Sequence, residues 1–358
     1  MKSAGPLLIL GIAGPELSTA EADRFRRLQP AGYILFSRNL ATAGQTRRLT
    51  DALRDLSQDE PIIAIDEEGG RVSRLRAIEA GSPAPPALVT SGGPPLIARA
   101  AALTGDLLRL LGINLNLAPV LDLAHSPEAA NALQGRCWSR DPQRVIDHAG
   151  QWNRWLHRRS IATCVKHFPA GGRASSDPHH DLPVSGASLE ELLREDIVPY
   201  TALMPEIDSV MLAHVLFPRL DERLPASLSP RVVQRLLRDQ LGFDDHLVLT
   251  DDLDMDAIAK RHPRGEDARL AIEAGNDLAL ICHRTETADV AAEALGELPH
   301  AVIDTALARI ERFKRRKLVP PPAWSESHWE STRMRMAELT AACTAANPDA
   351  DPGQVARY

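Results

Sequence analysis

The chain has 358 residues, 44% hydrophobic and 25% charged, with a formal net charge of −7. Lys and Arg are scattered, with no basic tract and no aromatic-interleaved patch, so no nucleic-acid surface is expected. No linker splits the chain before residue 317, which points to one large core.

Near the start, Lys2 is followed by the apolar run Pro6-Leu7-Leu8-Ile9-Leu10-Gly11-Ile12-Ala13. The run is too short to span a membrane and leads into an acidic helix, not a cleavage site. It reads as a first strand, and a cytoplasmic protein with no membrane partner is expected. Further apolar runs predict strands over Leu7–Ile12, Gly32–Phe36, Ile62–Ile65, Ile113–Ala118, Ala162–Lys166, Ser209–Ala213, Leu247–Thr250 and Leu278–Cys282. Most are continuously apolar, as parallel strands covered on both faces must be. Amphipathic helices fit between them over Thr42–Leu56, Ile97–Leu111, Arg144–Arg158, Leu189–Met204 and Pro230–Gln240. Gly112, Gly242 and Gly275 mark helix ends or turns into the next strand.

Eight alternating units predict an α/β fold, a (β/α)8 TIM barrel over residues 1–317. The competing doubly wound sheet calls for a Gly-rich nucleotide loop after strand one, which Gly11-Ile12-Ala13-Gly14-Pro15 does not provide. Pro320-Pro321-Pro322 ends the last barrel helix. Residues 318–346 read as a helical extension, with the helix over Trp324–Ala346, and 347–358 as a frayed tail. The cysteines Cys137, Cys164, Cys282 and Cys343 are far apart, two of them in predicted strands, so buried thiols are expected.

Polar residues gather where the strands end, the face on which barrels of this kind do chemistry. Strand three runs into Asp66-Glu67-Glu68-Gly69-Gly70-Arg71, strand five into Lys166-His167, strand six into His214 and strand seven into Asp251-Asp252. One such residue is ordinarily a helix cap; four clusters on one face are not. Two adjacent acids are not expected both to face a pocket, so Asp252 should cap a helix or bind backbone amides. Glu67 and Glu68 read as structural, holding Arg71 or Arg74. Asp122 reads equally as a turn residue or as part of the site floor. Arg136 could fork onto hydroxyls or pair with a surface acid. His180 reads as solvent-facing. Ala170–Ser176 contains small residues and two glycines without an apolar anchor, and predicts a weakly held loop.

A pair of carboxylates brought together from distant sequence is the minimum equipment for cleaving a glycosidic bond, and a histidine near one of them offers a second proton-handling group. Lys166-His167-Phe168-Pro169 with Asp177, His179 and Leu182-Pro183 resembles the signature of bacterial β-N-acetylglucosaminidases of glycoside hydrolase family 3. The resemblance extends to Ile65-Asp66-Glu67-Glu68-Gly69-Gly70-Arg71-Val72 with Arg74, Ala118-Pro119-Val120-Leu121-Asp122 and Gly135-Arg136-Cys137-Trp138. Ala213-His214-Val215, Pro225-Ala226-Ser227 and Thr250-Asp251-Asp252-Leu253 complete it in the same order. It implies a retaining exo-enzyme that removes terminal N-acetylglucosamine from muropeptides during cytoplasmic cell-wall recycling. Asp251 matches the family nucleophile. His179, with Asp177 beside it, matches the acid/base pair. Asp66, Arg74, Arg136, Lys166 and His167 match the sugar-binding residues. The implied partner is a small carbohydrate, with no metal, no other cofactor and a monomeric chain. One departure stands out: where the family reads Lys-His-Phe-Pro-Gly-His-Gly, this chain continues Ala170-Gly171-Gly172, and Pro178 replaces a serine. Aromatic residues are only 4% of the chain, which fits a small polar pocket better than a long aromatic-lined cleft. Rival readings are a metal-dependent barrel hydrolase, which lacks ligands at the end of strand one, and an amino-sugar-binding barrel without activity.

Overall fold

The computed structural model describes residues 4–125, 132–174 and 181–346. Eight parallel strands form a closed barrel. They are β1 (Leu8–Gly11), β2 (Gly32–Leu35), β3 (Ile62–Ile65), β4 (Leu115–Asn116), β5 (Ala162–Phe168), β6 (Ser209–Leu212), β7 (Leu247–Asp252) and β8 (Leu278–Ile281). Each pairs with its neighbours in sequence, and β1 pairs with both β2 and β8, which closes the ring. Nearly every strand residue is buried, because helices cover the outside and side chains fill the inside. All eight predicted strands are present, and the (β/α)8 barrel is the fold.

Local chemistry accounts for the helices. Thr19–Leu28 and Ala43–Leu56 begin with reciprocal capping boxes, Ser18 with Glu21 and Thr42 with Gln45. Gly112 follows the helix Gly93–Leu110 at φ +77°, a left-handed position that glycine takes without strain. The single helix expected over Leu189–Met204 is instead two, Leu189–Arg194 and Val198–Leu203. Glu195 leaves helical geometry between them, and Pro199 then sits in the first turn of the second, where its missing N–H is not needed. Arg231–Gln240 winds as a π-helix around the fully buried Arg238, which pairs with Asp277 at 2.8 Å. Beyond the barrel, Glu326–Ala346 packs against Pro85–Ser91 and Gly93–Leu110. The predicted tail, 347–358, lies outside the described residues. All four cysteines are buried, and none is joined in a disulfide. Among the described residues, no helix is long and apolar enough to cross a membrane.

Two register irregularities shape the mouth of the barrel. From Val165↔Val210 to Phe168↔Leu212, three steps along β5 oppose two along β6. From Leu249↔Leu278 to Asp252↔Leu280, three steps along β7 oppose two along β8. An extra residue of this kind is a bulge, which breaks the strict alternation of side chains and re-aims them. One bulge falls on Lys166 and His167, the other on Thr250 and Asp251.

Candidate active site

The strand ends surround a pocket of about 270 Å³ at the C-terminal mouth. Asp66, Glu68 and Arg74 line it from the segment after β3, Arg136 from the segment after β4, and Lys166 and His167 from β5. His214 lines it after β6, and Asp251 and Asp252 from β7. The structure thus brings together six of the residues singled out from sequence: Asp66, Arg74, Arg136, Lys166, His167 and Asp251. Asp177 and His179 lie outside the described residues. The expectation that only one of Asp251 and Asp252 would face the pocket is corrected, since both line it. The bulge in β7 is the physical reason, because neighbouring residues need not alternate there.

Glu68 is the electrostatic centre. Its side chain is 1% exposed and accepts a two-pronged pair from Arg136, Nε to Oε2 and Nη2 to Oε1, each at 2.8 Å. Lys166 Nζ reaches Glu68 Oε1 at 2.6 Å and Asp66 Oδ1 at 2.7 Å, and Arg74 Nη2 reaches Asp66 Oδ2 at 3.4 Å. Burial raises the Glu68 carboxyl, but the Arg136 and Lys166 charges outweigh it and hold the group far below the usual carboxylate range. Burial likewise opposes the Lys166 charge, and Asp66 and Glu68 more than offset it, so its pKa is raised. The sequence reading had Glu68 serving Arg71 or Arg74; instead it serves Arg136 and Lys166. Arg136 therefore pairs with a buried acid, not a surface one.

Glu67, pointing away from this network, accepts Ser73 Oγ at 2.6 Å, Leu75 N at 3.0 Å and Ser82 N at 3.4 Å. It ties down the loop after β3, and burial lifts its carboxyl to about 7. It too holds neither Arg71 nor Arg74 by a hydrogen bond.

Asp122 does not line the pocket itself; it holds His167 and Gly171, which do. Its Oδ2 accepts His167 N at 3.1 Å and meets His167 Nδ1 at 2.7 Å. A carboxylate can only accept, so His167 Nδ1 carries the proton and Nε2 is turned toward the pocket side. Asp122 Oδ1 accepts Gly171 N at 2.6 Å and Gly172 N at 3.2 Å. A Cβ at Gly172 would lie 2.3 Å from the Leu123 carbonyl oxygen, so only glycine fits there. The expectation of a weakly held loop is corrected for Gly171–Arg173, which forms a pinned 3-10 turn. The anchors are carboxylates from other segments, and nothing in the loop's own residues announces them.

Asp251 is half-buried at the end of β7. Burial raises its carboxyl, but the His167 and His214 imidazoles, the Asp252 N–H and the Lys166 ammonium bring it below the ordinary value. It is ionised wherever the barrel is folded at moderate pH. Asp252 binds backbone amides as expected: its Oδ1 accepts Asp254 N at 3.0 Å and Cys282 N at 3.2 Å. Burial, then the charges of Asp254 and Asp251, push the Asp252 carboxyl upward. His214 was noted only as one of four strand-end clusters. Its Nε2 donates to the Asp252 carbonyl at 2.9 Å while Nδ1 faces Ser227 Oγ at 2.7 Å, and burial lowers its pKa.

The arrangement supplies an ionised carboxylate beside a wall of charged donors and acceptors, on the scale of one sugar ring. Residues 9–313 match the glycosyl hydrolase family 3 N terminal domain. The beta-hexosaminidase of Bordetella avium (strain 197N) is 35% identical over 337 residues, covering 91% of each chain. That of Pseudomonas aeruginosa (strain LESB58) is 36% identical over 295 residues, 81% of this chain and 86% of the relative. A glycoside hydrolase family 3 beta-N-acetylglucosaminidase from Paenibacillus sp. str. FPU-7 superposes with a TM-score of 0.84 at 34% identity, over 94% of this chain and 68% of that one. NagZ from Neisseria gonorrhoeae, solved in complex with N-trifluoroacetyl-D-glucosamine, superposes with a TM-score of 0.78 at 28% identity, over 94% and 98%. The chain is a glycoside hydrolase and belongs to glycosyl hydrolase family 3.

Proposed function

We propose that the protein is a retaining exo-β-N-acetylglucosaminidase that works through a covalent glycosyl-aspartate. The observation that carries this is Asp251, an ionised carboxylate at the pocket end of β7, facing the Asp66–Lys166–Glu68–Arg136 network. Relatives that share the barrel are described as beta-hexosaminidases and beta-N-acetylglucosaminidases, and one holds an N-acylated glucosamine analogue.

In this reading Asp251 attacks the anomeric carbon. The leaving oxygen takes a proton from His179, which then removes one from the water that releases the sugar. An imidazole suits both halves because its unperturbed pKa is about 6.5. Asp177 orients that ring and stabilises its charged form. Lys166 spends two of its three N–H groups on Asp66 and Glu68, and the third is offered to a sugar hydroxyl. Arg74, Arg136 and His167 complete the hydroxyl recognition. We place the substrate among N-acetylglucosamine-terminated muropeptides and the enzyme in the cytoplasm, acting as a monomer. The resemblance to single-domain family members supports the substrate, and four buried cysteines outside any disulfide suit a reducing compartment.

The test compares 4-nitrophenyl β-N-acetylglucosaminide with the β-glucoside in the presence of chelator. Turnover of the first in clear preference to the second is expected. Equal or better turnover of the glucoside would overturn the assignment.

A further inference from the structure

We propose that Asp122 is a positioning residue that makes His167 a hydrogen-bond acceptor in the pocket, so that the sugar hydroxyl it meets must donate. The inference rests on the reading of His167 as a sugar-binding residue and goes beyond it by fixing which way that hydrogen bond runs.

The Asp122 side chain is fully buried. Three of its contacts are backbone amides, those of His167, Gly171 and Gly172, at 3.1, 2.6 and 3.2 Å. A backbone amide cannot reverse its role, so all three call for a carboxylate that accepts. The fourth contact is His167 Nδ1, 2.7 Å from the Oδ2 that already accepts the same residue's backbone N–H. At the far end of the ring, Nε2 lies 3.4 Å from Arg136 Nη2. A guanidinium only donates, so it faces a lone pair there. Both ends of the ring therefore select one tautomer, with the proton on Nδ1 and the lone pair on Nε2. Arg136 Nη2 is held by Glu68 at 2.8 Å and its contact with Nε2 is long, which leaves the lone pair available to a ligand.

An imidazole able to carry its proton on either nitrogen would accommodate a donating or an accepting group and discriminate between neither. Held by Asp122, His167 takes only a donor. Its neighbours Lys166 and Arg136 can only donate. A hydroxyl that accepts from one of these cations and donates to Nε2 is thereby oriented in both senses. A fluorine in the same place offers Nε2 no proton and leaves its lone pair unmatched. Asparagine at position 122 would bring one oxygen to four donors. With that oxygen on the two glycine amides, its NH2 faces Nδ1, and the ring proton has to move to Nε2.

The experiment first locates the proton. In protein carrying 15N-labelled histidine, long-range 15N–1H spectra separate a ring nitrogen that bears a proton from one that bears a lone pair, and His167→Ala identifies the signal. A proton on Nδ1 and none on Nε2 is expected in the wild type, with Asp122→Asn moving it toward Nε2. A proton on Nε2 in the wild type would overturn the proposal. Kinetics then show whether the tautomer is used. The quantity is kcat/KM for 4-nitrophenyl β-N-acetylglucosaminide and its 3-, 4- and 6-deoxyfluoro analogues, with wild type, Asp122→Asn and His167→Ala. The inductive effect of fluorine is common to the three proteins and cancels between them. Both variants should lose sensitivity to fluorine at one and the same position, by roughly 10-fold, and keep it at the others. If His167→Ala does so while Asp122→Asn slows every substrate by one factor, Asp122 is structural only and the proposal fails. If His167→Ala alters sensitivity at no position, the reading of His167 as sugar-binding fails instead. Melting temperatures identify a variant that does not fold, and the wild-type spectrum then decides alone.

Discussion

The backbone N–H of Asp252 donates to Asp251 Oδ1 at 2.8 Å, so the second acid of the pair holds the first. The same residue is fixed from three other directions, by His214 on its carbonyl and by two backbone amides on its side chain. The nucleophile proposed here is thus held through its neighbour's main chain, which a side-chain substitution at Asp252 would leave in place.

Asp251→Ala should therefore lower kcat by roughly 10,000-fold while the protein keeps its fold, as for loss of a covalent nucleophile. Asp252→Asn keeps the N–H on residue 251 and should cost far less activity, its main effect being on stability. Steady-state kinetics and thermal melts on both variants check this. A dead Asp252→Asn beside an active Asp251→Ala would reverse the assignment.

His179→Ala should nearly abolish cleavage of a natural disaccharide and spare glycosylation by activated aryl glycosides. Water is then left without its base, and the glycosyl-enzyme accumulates. A burst of nitrophenol, a lowered KM and acceleration of the slow phase by azide are expected in stopped-flow traces. Asp177→Asn should give a milder form. Equal slowing of aryl and natural substrates, with no burst and no azide rescue, would make His179 a binding or structural residue.

Glu68→Gln should be among the most destabilising single changes at the site. It leaves Lys166 and Arg136 facing each other with one carboxylate fewer, in a region where all three side chains are 10% exposed or less. Breaking a buried ion pair in this way costs about 3–5 kcal/mol. Urea titration measures it, and a loss under about 1 kcal/mol would show that water reaches the network.

Asp208, with its side chain 1% exposed, meets His157 Nε2 and Lys317 Nζ at 2.6 Å each. Burial raises its carboxyl, but these two partners outweigh it, and its pKa is lowered. A depressed carboxylate stabilises the fold above its unfolded value, about 3.9, and that contribution fades as pH falls through the lower folded value. Asp208→Asn should cost about 1–3 kcal/mol at pH 7 and lose its penalty in acid. Melts across pH 2 to 7 on both proteins would show the curves converging. Parallel curves would assign the loss to packing alone.

The barrel was legible because eight apolar runs had to be buried on both faces, and the pocket wall because polar residues followed those runs. What could not be read was anything set by a partner far away in sequence. Lys166 and His167 both face the pocket because β5 slips one residue against β6, and nothing in Val165-Lys166-His167 states that slip. Asp122 was readable only as an alternative, since its three partner residues come from Lys166's strand and the loop beyond it. Asp196, which accepts from Arg173, gave no signal, being one acid among several on what looked like a single helix.

The acids of the pocket divide by what already neutralises them. Asp66 and Glu68 face Lys166, Asp254 faces Arg264 and Arg284, and Asp252 has His283 at 3.5 Å. Among the described residues, Asp251 has no cationic side chain at ion-pair distance. With Asp251 as the proposed nucleophile, an inhibitor whose ring nitrogen is protonated would find its attractive carboxylate there. Hydroxyls placed for the Lys166 network would add orientation but little net charge attraction. For ligand design, the position of the positive centre around the ring should therefore matter more than its mere presence.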